Sequence, residues 1–237
     1  MPESQVGVVL AHGGWADGSS WAKTITGLRS AGVKAVAAPL PLTSLADDVA
    51  ALSETLERAE GPVVVAGHAY AGAVIASVSH EKVASLVYVT ALAPDEGETV
   101  SEVFYRAEPH PQAPVLAPDR HGLIWLPEEA FAAAFAQHAT ELEQALLAAT
   151  QRPLAVDCIG VPVPRPAWRD RPSWFLVAEE DRMIPVETQH FMAERMKARV
   201  HTVPADHVPM ITASPAVVGI VLEAVRSAES QGTGELS

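Results

Sequence analysis

The stretch Val63-Val64-Val65-Ala66-Gly67-His68-Ala69-Tyr70-Ala71-Gly72 decides the fold. Val63 to Ala66 is a short, apolar, mostly β-branched run of the kind buried in a parallel sheet. Gly67 to Gly72 is dominated by small residues, and from Tyr70 to Ser79 the apolar spacing becomes helical. A strand that runs through a tight turn into a helix is the context of a G-x-S-x-G nucleophile elbow. The central residue of such an elbow sits in a strained, positive-φ turn packed between strand and helix. Here the centre is Ala69, where serine would be expected, and Ala71 stands where the motif has its second glycine.

Outward from this stretch, similar apolar runs recur at Val6 to His12, Val33 to Ala38, Val83 to Thr90, Trp174 to Ala178 and Arg199 to Pro204, which predicts six strands in all. Helical spacing fills most of the intervals: Ser20 to Ala31, Leu45 to Glu60, Tyr70 to Ser79, Val186 to Lys197 and Ala216 to Ala228. Ser44 with Asp47 resembles a capping box, and Ser214-Pro215 places a cap before a first-turn proline. Strands alternating with helices imply an α/β protein, a doubly wound and mostly parallel sheet with helices on both faces. Its cleft is expected beyond the C-terminal strand ends. The alternation fails between Pro94 and Pro172, where a segment helical from about Pro127 to Thr150 reads as an inserted cap. The predicted organisation is one domain: a core of residues 4–93 and 172–228, a cap of about 94–171, and a polar tail, 229–237, expected to be disordered.

Composition fits this reading. The 237 residues are 49% hydrophobic and 19% charged, the balance of a packed globular domain. A formal net charge of −13 argues against nucleic acid as a partner, because that affinity comes from neutralising phosphates with Lys and Arg. It favours a neutral small molecule over an anionic one. The single cysteine, Cys158, excludes an intramolecular disulfide. Neither a secretion-signal pattern nor ~20 consecutive apolar residues for a bilayer span is present, so no membrane partner and a cytoplasmic location are expected. Acidity gives no reason to expect aggregation, leaving a monomer or homodimer.

Two further strand ends carry polar groups. Phe175-Leu176-Val177-Ala178-Glu179-Glu180-Asp181 delivers an acid, and Pro204-Ala205-Asp206-His207 delivers a histidine after the last strand. Nucleophile position, acid and histidine thus follow one another in the order used by α/β-hydrolases. From Val6 to about Arg226 the chain resembles the compact α/β-hydrolase family of bacterial esterases, related to plant hydroxynitrile lyases and methyl esterases. The resemblance implies that His12-Gly13-Gly14-Trp15 is the oxyanion loop, with the N–H of Gly14 or Trp15 pairing with that of Tyr70. It implies Asp181 as triad acid, His207 as triad base, and Ala69 at the nucleophile position.

Other residues take humbler roles. His12 is expected to organise its loop and His68 to pack beneath the turn. His80, His110, His121, His138, His190 and His201 lack H-E-x-x-H or C-x-x-C companions, so no metal is expected. No G-x-G-x-x-G fingerprint points to a nucleotide cofactor, and none is expected. Cys158 reads as a small buried hydrophobe, and Ser19 or Ser20 as a helix cap or a cleft hydroxyl. Phe104, Tyr105, Trp125, Phe131, Phe135 and Trp168 supply aromatic faces, two or three of which are expected over the ligand. The predicted pocket comprises Ser19, Tyr105, Trp125, Phe135 and Met210.

Alanine has no atom that can attack an acyl carbon, and losing one triad member costs roughly 10⁴ to 10⁶ in turnover. Ordinary acyl-enzyme chemistry is therefore not expected of this chain. Three readings stay open: a serine esterase inactivated at position 69, a natural protein using His207 with Asp181 as a general base without a covalent intermediate, or a non-catalytic binder. Ala71, a second departure from the motif, favours a natural sequence.

Overall fold

A computed structural model describes residues 4–234. Among these residues eight strands occur in chain order: β1 Gly7–Ala11, β2 Ala35–Ala38, β3 Val63–His68, β4 Val83–Val89, β5 Leu123–Ile124, β6 Leu154–Ala155, β7 Ser173–Ala178 and β8 Arg199–Val203. Six form one parallel sheet in the order β2-β1-β3-β4-β7-β8. The two-residue strands β5 and β6 pair antiparallel outside it.

Side chains alternate across the central strands into two apolar layers. Val9, Val63, Val65, Phe175 and Val177 face one layer. Their neighbours Val8, Leu10, Val64, Ala66, Trp174 and Leu176 face the other. Both faces are covered, which is why these strands read as unbroken apolar runs. Helices Leu45–Glu57, Ala71–Ser77 and Val186–Arg195 contribute to the first layer, Ala22–Ser30 and the C-terminal helix to the second. The edge strand β8 is the exception: Arg199 to Thr202 are exposed, and His201 Nε2 and Trp174 Nε1 meet Glu223 of the C-terminal helix at 2.8 and 3.0 Å.

Three local expectations need correction. The Ser44 hydroxyl accepts the Asp47 N–H at 3.0 Å, but the Asp47 carboxylate turns to the Thr43 hydroxyl at 2.7 Å, so only half of a capping box forms. Complete boxes cap the helices at Thr99/Glu102 and Thr140/Glu143. The expected helix from Pro127 to Thr150 is broken: Glu128–Ala130 widens into a π-turn at Phe131–Phe135, and a new helix, Glu141–Thr150, follows. Finally, the C-terminal helix runs from Ser214 to Gly234, so residues 229–234 of the expected disordered tail are helical, while 235–237 lie outside the described residues. Extending a helix already docked through Val217, Ile220, Val221 and Ala224 costs little, and Glu229 accepts the Ser4 hydroxyl at 2.6 Å.

β1 leads outward to β2 on one side, whereas its other neighbour β3 leads to β4 on the opposite side, so the loops after β1 and β3 part there. A crevice opens at such a reversal in a doubly wound sheet. Among the described residues no helix is long and apolar enough to cross a membrane.

Candidate active site

The turn after β3 places Ala69 at φ +48°, a backbone conformation that costs an L-residue about 1 kcal/mol or more. Its carbonyl accepts the N–H groups of Gly72 at 3.1 Å and Leu92 at 2.9 Å. Helix and strand come so close that a methyl group on Gly72 would lie 2.2 Å from the Leu92 carbonyl oxygen. The glycine required by this packing is Gly72. Ala71 is fully buried in the first layer, and the departure from the motif there is accommodated.

The loop after β1 presses against this turn. A Cβ on Gly13 would meet His68 Nδ1 at 2.8 Å and the Ala69 methyl at 3.0 Å, so only a bare backbone fits. His12 Nδ1–H donates to the Gly13 carbonyl at 3.0 Å, the loop-organising role expected of it. Trp15, at φ +57°, donates its backbone N–H to the Arg152 carbonyl at 3.1 Å and its indole N–H to Ile124 O at 2.9 Å. Of the two amides expected from this loop, that of Trp15 is thus taken. The N–H groups of Gly14 and Tyr70 have no backbone partner among the described residues.

On the far side, His207 Nδ1–H donates to Asp181 Oδ2 at 2.9 Å. The other lone pairs of Asp181 are used: Oδ1 accepts Met183 N–H at 2.7 Å and Ile184 N–H at 3.0 Å, and Oδ2 also takes Gln189 Nε2–H at 3.0 Å. This orientation leaves His207 Nε2 as the basic nitrogen. The histidine loop is pinned by Asp206, which accepts Val208 N–H at 3.2 Å, the Thr212 hydroxyl at 2.6 Å and His138 N–H at 2.9 Å. The backbone carbonyl of His207 accepts His68 Nε2–H at 2.7 Å and the Thr90 hydroxyl at 3.1 Å. His68 therefore lies beneath the turn as expected, and burial holds its imidazole well below the usual histidine range.

These groups meet in a cavity of about 230 Å³, smaller than the roughly 300–1,000 Å³ of drug-sized sites. Gly14, Trp15, Ala69, Tyr70 and His207 line its floor, and Leu92, Leu154, Met183 and Ile184 its walls. Residues of the inserted segment, among them Val100, Phe104, Tyr105, Leu116 and Ile159, close over it. Among the described residues no lysine, arginine or carboxylate is in the lining.

Of the predicted pocket residues only Tyr105 lines this cavity, and Phe104 joins it as the second aromatic. The other four are corrected. Ser19 lies within a 3-10 turn that Asp17 caps, and both its N–H and its hydroxyl donate to Asp17 Oδ1. Trp125 is half exposed, while Phe135 and Met210 are fully buried in the second apolar layer. Phe135 touches the site from behind, its ring centroid 5.2 Å from that of His207 and 6.2 Å from that of Trp15. Sequence reasoning missed Gln189, which carries no motif, and Asp48, which left a signal: it falls on the apolar stripe Leu45-Asp48-Leu52-Leu56. Among the described residues no three His, Cys, Asp or Glu side chains gather as a metal site.

The alpha/beta hydrolase family model matches residues 8–219, and the chain belongs to that family. Among solved structures it is similar to a histidine-to-alanine variant of PytH, with 20% identity, TM-score 0.82 and coverage of 93% of this chain and 98% of that one. Polyneuridine aldehyde esterase gives 21% identity, TM-score 0.80 and coverage of 92% and 98%. A histidine-to-alanine variant of tomato methylketone synthase I complexed with β-ketoheptanoate gives 18% identity, TM-score 0.80 and coverage of 96% and 99%. At these identities the likeness is one of fold. No curated protein sequence matches the chain.

Proposed function

We propose that this protein catalyses proton transfer on a small, neutral, predominantly apolar carbonyl compound, without a covalent intermediate. The observation that carries this reading is the Asp181–His207 pair, fully hydrogen-bonded and buried, facing an alanine in an apolar cavity. Burying a carboxylate is costly unless every lone pair is used, and here the cost is met around a base that has no hydroxyl to activate.

In this reading the ligand carbonyl points to the N–H groups of Gly14 and Tyr70, which act as an oxyanion hole. His207 Nε2 takes a proton from the carbon next to the carbonyl, the C–H electron pair moves to the oxygen as an enolate, and Asp181 stabilises the imidazolium formed. Return of the proton from His207 completes an exchange. The absence of lysine, arginine and carboxylate from the lining among the described residues suits a neutral ligand, and position 69 has no hydroxyl to be acylated.

The test is deuterium incorporation from solvent into a short alkyl ketone such as 2-heptanone, followed by NMR. The wild-type chain should exchange the protons beside the carbonyl, and His207→Ala should abolish the exchange. Ligand binding without exchange, undiminished in His207→Ala, would instead identify a non-catalytic binder. Ala69→Ser decides the remaining alternative: new hydrolysis of short p-nitrophenyl esters, with fluorophosphonate labelling, would show a serine-esterase site lacking only its hydroxyl.

A further inference from the structure

Behind the turn lies a second buried polar cluster that takes no part in the chemistry above. The Tyr70 hydroxyl donates to Asp48 Oδ2 at 2.6 Å. Asp48 Oδ1 accepts the N–H of Leu42 at 2.8 Å, and Cys158 Sγ lies 3.7 Å from Oδ2. Asp48 is fully buried, in the first turn of the helix Leu45–Glu57. Burial raises its carboxyl above the usual aspartate range and raises the Tyr70 phenol as well, so the phenol keeps its proton.

Tyr70 is the residue immediately after Ala69, and its backbone N–H, like that of Gly14, has no backbone partner among the described residues. The strain of the turn sits at Ala69, and the Tyr70 N–H shares a planar peptide with the Ala69 carbonyl, which the N–H groups of Gly72 and Leu92 hold from one side. The Tyr70 side chain is the anchor on the other side. That side chain reaches across to one carboxylate, which also fixes Leu42, itself at φ +62°. The Leu42 carbonyl in turn accepts the N–H of Ala155, in the strand β6 next to the cavity wall at Leu154.

We infer that Asp48 is a positioning residue for the oxyanion hole: by clamping the Tyr70 side chain it aims the Tyr70 N–H at the ligand oxygen. The inference rests on the proton-transfer reading for its catalytic consequence, and on geometry alone for its structural one. Misplacing a group by about 1 Å costs on the order of 100-fold in rate. Breaking the clamp should therefore lower kcat by about 10- to 100-fold, and in Tyr70→Phe, which keeps the bond from Leu42 to Asp48 and so the support of the wall, KM should be nearly unchanged.

The experiment compares Asp48→Leu, Asp48→Asn and Tyr70→Phe in the intact chain, reading kcat and KM for deuterium exchange and the ¹⁵N–¹H resonance of the residue-70 amide. Asparagine can still accept from Leu42 N–H and hydrogen-bond the phenol, so Asp48→Asn should recover most of what Asp48→Leu loses. Tyr70→Phe removes the clamp by deleting one hydroxyl while Asp48 keeps its bond from Leu42, and it decides the matter if Asp48→Leu does not fold. A lowered kcat together with a displaced residue-70 amide in the clamp-breaking variants supports the inference. Wild-type kcat in those variants, or an unmoved amide, overturns it. If the wild-type chain itself performs no exchange, the proton-transfer reading has failed separately, and the amide resonance alone decides whether Asp48 aims Tyr70.

Discussion

Gln189 donates Nε2–H to the same oxygen of Asp181, Oδ2, that receives His207 Nδ1, at 3.0 Å against 2.9 Å. The same amide binds the Ile184 carbonyl at 3.0 Å and accepts the Ala178 N–H at 3.0 Å. One buried glutamine thus fixes both the acid and the strand end that carries it. In Gln189→Leu, the Ala178 N–H and one Asp181 lone pair would lose their partners. A buried group left unsatisfied costs about 1–3 kcal/mol, so urea denaturation should show a loss of that order with an unchanged m-value.

Two glycines should respond in opposite directions to the same methyl group. At Gly72 a Cβ would lie 2.2 Å from the Leu92 carbonyl and 2.9 Å from the Ala91 Cβ, and neither backbone can yield. Gly72→Ala should destabilise by about 3 kcal/mol or more, at the upper end of overpacking costs. Gly219 lies exposed within the C-terminal helix with nothing within 4 Å of an added methyl, so Gly219→Ala should stabilise by roughly 0.5–1 kcal/mol. Thermal melts of both variants check the contrast.

Burial lowers the pKa of His12 and lowers that of His68 well below 6.5. The unfolded chain takes up these protons below pH 6.5 while the folded one does not. The stability they contribute is therefore full above pH 6.5 and is lost as pH falls below it, by up to about 1.4 kcal/mol per pH unit for each histidine. Chemical denaturation between pH 7.5 and 5 should show this slope. Replacing His68 with asparagine should flatten it, and an unchanged slope would remove His68 from the account.

Cys158 is fully buried, and burial with the neighbouring Asp48 pushes its thiol up to about 12. Because the thiolate is the reactive form, the folded protein at pH 8 should resist thiol reagents. It is the sole cysteine, so labelling should follow the urea unfolding curve as a direct report of opening at the Asp48 cluster. Rapid labelling of the native chain would contradict this packing.

The parts of the site that end core strands were legible in sequence. Ala69, Asp181 and His207 each follow an apolar run whose burial is dictated by the sheet, and the neighbouring acids Glu179 and Glu180 are exposed, leaving Asp181 to meet the histidine. The pocket walls were not legible, because Phe135 and Met210 are as apolar as Phe104 and Met183, and only the path of residues 94–172 decides which line the cavity. Asp48 marks the middle ground. An acid on an apolar helical stripe announces a buried partner, but the identity of that partner, Tyr70, comes from how two separate elements pack.

The bond from Trp15 N–H to the Arg152 carbonyl joins the loop after β1 to the segment that closes over the cavity. Floor and roof are stitched together at that corner, and Leu154, two residues further on, rests against Gly14. A ligand reaching His207 would have to displace this seam or pass elsewhere along the rim. Half-exposed Tyr105, which stands in the lining with its other face in solvent, marks the rim's looser margin. The molecule is thus sewn shut on the side that holds its amides and unbuttoned on the side that meets the surroundings.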